Sequence, residues 1–193
     1  LGGSTTSQYR FAREFQAASA LDHPNIVRAL DYGLDGPDAY LVMELVEGES
    51  LGDLIDRQGP LPEAAAVRVV TLAAQALHYA HRRRIVHRDV KPDNILIGLA
   101  KELDSEFDLT KPASGLGTPH FMAPEQYENA RHARPASDVY ALGATLYTAL
   151  TGTLPFQAYT SLVALTKKLT EPPPSPRAAV PGVSEAADRA VRA

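Results

Sequence analysis

The chain has 193 residues, 45% of them hydrophobic, and a formal net charge of −4. That composition suits one ordinary globular domain or two small lobes and gives no reason to expect nucleic acid or an anionic membrane as the main partner. It contains no cysteine, which excludes disulfides and thiol chemistry. No apolar run is long enough to span a bilayer and no charged-then-apolar leader opens the chain, so no membrane contact is expected within it. Leu1 in place of methionine suggests a start inside a longer protein.

Residues 8–20 set Phe11, Phe15 and Ala18 at helical spacing with Arg10, Arg13 and Glu14 between them, which predicts an amphipathic helix ending before Asp22-His23-Pro24-Asn25. Residues 26–32 and 39–44 read as two strands joined by a turn over 33–37, where Gly, Asp and Pro cluster. A loop is expected at Glu47-Gly48-Glu49. From Pro62 to about Arg83, Val67, Val70, Ala74 and Leu77 recur at steps of three and four, which predicts a long helix with those residues facing inward. Ser137-Asp138 is expected to cap a strongly apolar helix running to Leu150, with Gly152 just beyond its end. A further helix is expected over 161–169, then an extended connector at Pro172-Pro173-Pro174-Ser175-Pro176 and a last helical pattern over 184–193.

The chemistry concentrates in Ile85-Val86-His87-Arg88-Asp89-Val90-Lys91-Pro92-Asp93-Asn94-Ile95-Leu96-Ile97. Asp89 can orient a hydroxyl and accept its proton, Lys91 can neutralise a moving phosphoryl group, and Asn94 can hold a magnesium ion. A carboxylate receives a proton where an amide cannot, and a lysine brings charge without acceptors that would compete for phosphate. The β-branched runs on either side predict two short buried strands that hold the loop rigid. His78, His81 and His87 do not complete a metal set, because no cysteine or further clustered ligand joins them.

This segment resembles the catalytic loop of the protein kinases, H-R-D-L-x-x-x-N, with Val90 at the leucine position. Gly117-Thr118-Pro119-His120-Phe121-Met122-Ala123-Pro124-Glu125 resembles the end of their activation segment. Ser137-Asp138-Val139-Tyr140-Ala141-Leu142-Gly143 resembles the start of their central buried helix. Lysine two positions after the aspartate resembles the serine/threonine class, and the whole pattern is most similar to bacterial kinases of the eukaryotic-like type. The resemblance implies an α+β, two-lobe kinase-like fold: residues 1–46 as a truncated N-terminal lobe and 47–193 as a mainly helical C-terminal lobe, itself truncated. It implies ATP and Mg²⁺, a protein substrate bearing Ser or Thr, and a cytoplasmic location.

Residue by residue, the resemblance implies that Glu14 pairs with a phosphate-gripping lysine, that Met43 stands behind the adenine, and that the backbone of Glu44 and Val46 bonds its edge. It implies that His87 packs in the core and that Arg88 receives a phosphorylated activation segment, with Ser105, Thr110, Ser114 and Thr118 as candidate sites. Thr118 is further implied to bridge Asp89 and Lys91, Asn94 to bind metal, and Asp138 to accept hydrogen bonds from the catalytic-loop backbone. A small-molecule kinase of the aminoglycoside-phosphotransferase type shares a related loop, but Ala123-Pro124-Glu125 belongs to a peptide-docking segment that such enzymes lack. The pattern breaks twice. No lysine precedes Lys91, and Ile97 is followed at once by Gly98-Leu99-Ala100, with no Asp-Phe before the glycine. Phe107-Asp108-Leu109 is a degenerate alternative, with Asp108 as metal ligand. These departures predict weak phosphoryl transfer or a non-catalytic, partner-binding chain.

Overall fold

The computed structural model describes residues 15–36, 38–98, 120–129, 132–156 and 161–193. A helical turn over 15–19 leads to an antiparallel pair, β1 (Ala29–Asp35) and β2 (Asp38–Met43), with Asp35 opposite Asp38 and Ala29 opposite Met43. The turn is therefore tighter than the expected 33–37, and both strands start and end elsewhere than predicted. The rest of the predicted 8–20 helix, Glu14 included, lies outside the described residues.

Glu47-Gly48-Glu49 does not stay a loop. Gly48–Ser50 forms β3, paired antiparallel with β4 (Leu96–Gly98), with Gly48 opposite Gly98. A Cβ on Gly48 would sit 2.0 Å from the Ile97 carbonyl oxygen, so glycine is what permits this pairing. Ser50 then caps helix α1 (Leu51–Gln58), its hydroxyl accepting the Asp53 N–H at 3.0 Å.

Helix α2 (Glu63–Arg82) matches the long predicted helix, but its inward face is rotated. Ala66, Ala76 and Ala80 are buried, and Val70, Ala73 and Leu77 pack against Val90, Ala141 and Leu142. Val67 and Ala74 face outward instead, because the i, i+3, i+4, i+7 series that meets the neighbouring helix runs through the alanines. Ile85 and Val86 form no strand. Arg84 takes a left-handed φ of 62° and the Ile85 N–H returns to the Ala80 carbonyl at 3.1 Å, so this stretch closes the helix.

Helix α3 (Pro124–Glu128) precedes α4 (Pro135–Thr151), the centre of the fold. Ser137 and Asp138 lie inside its first turn and not at the N-cap, because Pro135 starts the helix; from there the Ser137 hydroxyl still reaches back to accept the N-cap N–H of Arg134 at 2.9 Å. Twelve residues of α4 are buried, so its polar members need internal partners. Thr145, Thr148 and Thr151 donate their hydroxyls to carbonyls one turn back, at Ala141, Ala144 and Tyr147. Helices α5 (Ser161–Thr170), α6 (Pro176–Ala179) and α7 (Glu185–Arg192) follow. Pro176 thus opens a short helix where an extended connector was predicted, as proline suits a first helical position. The main core gathers Leu51, Ile55, Leu146, Leu150, Val183 and Val191 from α1, α4, the segment before α7 and α7 itself.

Gly152 ends α4 in the left-handed region at φ 68°, and a Cβ there would meet Pro60 Cδ at 3.0 Å. Gly152→Ala should therefore lower unfolding free energy by about 1–2 kcal/mol in urea titration.

Candidate active site

Helix α2 and helix α4 deliver the two halves of the site. The chain leaves α2 at Arg82, turns at Arg84 and runs as a loop to the 3₁₀ turn Pro92–Asn94. Within it Arg88 takes φ 72°, an uncommon conformation for a residue with a Cβ that must be held by its surroundings. The holding group is Asp138, 1% exposed on α4. Its Oδ1 accepts the Arg88 N–H at 2.8 Å, and its Oδ2 accepts the His87 N–H at 2.9 Å and meets His81 Nε2 at 2.7 Å. A buried carboxylate is costly unless so satisfied. This geometry matches the expectation for Asp138, while His81, 57 residues away on α2, was weighed in the sequence only as a candidate metal ligand.

The clamp presents three side chains together. Lys91 Nζ lies 3.5 Å from Asp89 Oδ2, with the Asp89 side chain 45% exposed and that of Lys91 18% exposed. Asn94 Nδ2 donates to the Asp89 carbonyl at 2.7 Å and to Asp89 Oδ2 at 3.1 Å. With both of its N–H donors engaged there, the amide oxygen of Asn94 is the atom left to meet a cation. Oxygen donors of this kind, an amide and a carboxylate on one rim, suit a hard ion such as Mg²⁺. His87 is exposed and not in the core, because its ring turns to accept the Asp89 N–H through Nδ1 at 3.3 Å.

Asp93, between Lys91 and Asn94, points the other way, toward α1, where its Oδ1 would lie 3.0 Å from a Cβ on Gly52. Burial pushes its carboxyl above the usual carboxylate range against the pull of Lys91, with Asp53 and Asp56 adding to the rise.

Met43 closes β2 and is 54% exposed. The Glu44 N–H donates to the Arg28 carbonyl at 2.9 Å, and Glu44 Oε1 accepts the Arg28 N–H at 2.9 Å. The chain after β2 is thereby tied to the stretch before β1. Val46 is half-buried on the way to β3. Glu14, Ser105, Asp108, Thr110, Ser114 and Thr118 fall outside the described residues, and among the described residues no cluster of His, Asp or Glu forms a metal site.

Below the loop, Ala123-Pro124-Glu125 is fixed to the start of α4 by a 2.6 Å hydrogen bond from the Ser137 hydroxyl to Glu125 Oε1. Residues 3–179 match the protein kinase domain family. The chain belongs to that family. It is 39% identical over 186 residues to the serine/threonine-protein kinase pkn3 of Myxococcus xanthus, covering 86% of this chain and 34% of that protein. It is 38% identical over 193 residues to PrkC of Bacillus subtilis, covering 94% of this chain and 30% of PrkC. To PknB of Mycobacterium leprae it is 38% identical over 198 residues, covering 94% of this chain and 32% of PknB. The chain thus spans about a third of the length of these relatives. Among the described residues, short strand pairs and a mainly helical body fit that family's fold.

In kinases the segment ending at Ala-Pro-Glu borders the peptide platform, and here a lysine that the sequence reading missed secures it. Lys168 of α5 is 8% exposed and donates to the carbonyls of His120 and Met122, each at 2.8 Å. Its ammonium also faces the rings of Tyr127 and Tyr140 at 5.6 and 5.5 Å. Burial pulls it down to about 8 from the ordinary 10.5. A base lowered in this way weakens the folded state while it is charged. That penalty is complete below pH 8 and fades as pH rises toward 10.5, where the unfolded chain alone still holds the proton. Urea titrations should accordingly find the natural protein gaining stability relative to Lys168→Met between pH 8 and 10.5; a constant difference would mean an ordinary lysine.

Proposed function

We propose that this chain is the phosphotransfer part of a serine/threonine protein kinase, moving the γ-phosphoryl group of ATP to Ser or Thr hydroxyls of a protein substrate. The observation that carries the reading is the convergence of Asp89, Lys91 and Asn94 on one rim. Asp89, partly exposed and oriented by Asn94, accepts the hydroxyl proton. Lys91 offsets negative charge beside it, and Asn94 with its free amide oxygen holds Mg²⁺. Bound Mg²⁺-ATP supplies the transferable phosphoryl group and the cation that neutralises it.

Met43, Glu44 and Val46 are assigned to the adenine side. The Glu44 N–H is already engaged by Arg28, which leaves the Glu44 carbonyl as the group for a base edge. Thr118 is assigned to bridge Asp89 and Lys91, and Glu14 to the phosphate-gripping pair. Residues 1–46 serve as the N-terminal lobe and 47–193 as the C-terminal lobe, and the reaction's need for ATP favours the cytoplasm.

One feature favours a second reading. Gly98 follows Ile97 in the same strand, with no Asp-Phe ahead of it, so the usual principal magnesium aspartate is missing from that position. Positioning and charge neutralisation make up nearly all of kinase catalysis, and their loss predicts slow transfer or a non-catalytic, partner-binding role.

Radiolabelled ATP with a Ser/Thr protein substrate tests both readings. Transfer is expected well below the ordinary kinase scale of about 1–100 s⁻¹, dependent on Mg²⁺, and a further ~10²–10⁴-fold lower in Asp89→Asn. A rate on the ordinary scale would overturn the slow-transfer reading. No transfer, together with no Mg²⁺-dependent thermal shift by ATP, would support the partner-binding one.

A further inference from the structure

Arg88 is held at both of its backbone polar groups, and Asp138 supplies only one of the two grips. The Arg88 N–H donates to Asp138 Oδ1, whereas the Arg88 carbonyl accepts from Nε2 of Gln126 at 2.9 Å, 38 residues further along the chain. Gln126 is 7% exposed and sits on α3. Its Oε1 accepts the Ala123 N–H at 3.2 Å, so one buried amide uses its donor on the loop and its acceptor on the segment holding Ala123-Pro124-Glu125. Arg88 sits in the left-handed region, where a relaxed peptide would not stay.

A cavity of about 10 Å³, lined by Asp89, Val90, Phe121, Gln126 and Ala141, lies beside Arg88. The two hydrogen bonds on Arg88 are directional and fix the orientation of its carbonyl.

We propose that Gln126 is a positioning residue for Asp89. By fixing the Arg88 carbonyl it sets the direction in which the following residue projects its carboxylate, and by binding Ala123 it makes that direction depend on the peptide-docking segment. The inference rests on the reading of Asp89 as the proton acceptor. A carboxylate at position 126 can still accept from Ala123 but cannot donate to Arg88 unless protonated, and a thioether cannot donate and accepts only weakly.

The test is residue-resolved amide hydrogen exchange on the whole chain in Gln126→Glu and Gln126→Met, expressed as protection relative to the core amides of α4. In Gln126→Glu near neutral pH, loss of the donor should speed exchange at His87, Arg88 and Asp89 by about tenfold, beyond any change in α4. Near pH 5, where the introduced buried carboxyl regains a proton, protection should return. In Gln126→Met it should stay lost at both values.

Unchanged loop protection in both variants would overturn the proposal, as would loosening that merely tracks α4 or a Gln126→Glu variant with no recovery at low pH. Where the natural protein transfers phosphate, kcat should fall in Gln126→Glu with the KM for ATP unchanged. A natural protein that transfers none would refute the role of Asp89, while the exchange data would still decide whether Gln126 orients it.

Discussion

One buried carboxylate organises the site. Asp138 is almost wholly removed from water yet accepts two backbone N–H groups from the loop and meets the ring of His81 on α2. Each bond compensates a desolvation cost that the carboxylate would otherwise bear alone. The same bonds join α2, the loop and α4 into one unit. Because α4 is buried along most of its length and its threonines satisfy themselves internally, the anchor does not move relative to the core. The loop inherits that rigidity, and Arg88 can be kept at a backbone angle it would not adopt in isolation.

The chemistry-bearing rim follows from this constraint. Asp89 emerges directly after the held peptide, and Lys91 and Asn94 reach it because the 3₁₀ turn at Pro92–Asn94 folds the chain back within five residues. Downstream, the segment that ends in Ala123-Pro124-Glu125 is tied to α4 through Ser137 and to α5 through Lys168. The loop and this segment therefore share α4 as their common reference.

Much of this was legible in the sequence because it is local. The loop residues are contiguous, and Gly152, Ser184 and Pro62 mark helix ends by their own backbone preferences. What was missed depends on contacts between distant segments. His81 and Gln126 look like ordinary helix residues until Asp138 and Arg88 come within reach. Lys168 looks like one of a solvated pair, Lys167-Lys168, until the carbonyls of His120 and Met122 arrive.

On α2, Val70 and Leu77 pack inward as expected, but Val67 and Ala74 do not, because the fully buried positions are alanines, which weigh little in a hydrophobic pattern. Gly48 suggested a loop because glycine weakens strand patterns, although here it lets two backbones approach closely. Helix α1 had a signal that went unread, the Ser50 and Asp53 capping box.

If the proposed roles hold, Asp138 keeps the loop in a shape that presents Asp89 and Asn94 to a nucleotide-bound cation. Paramagnetic broadening by Mn²⁺, added with ATP and followed on the Asn94 side-chain amide, tests it most directly in the natural protein and in Asp138→Asn. ATP and Mn²⁺ together should broaden the Asn94 signal in the natural protein, and Asp138→Asn should weaken the effect while α2 and α4 keep their native shifts. Broadening absent from Asn94, or equally strong once Asp138 is replaced, would contradict it.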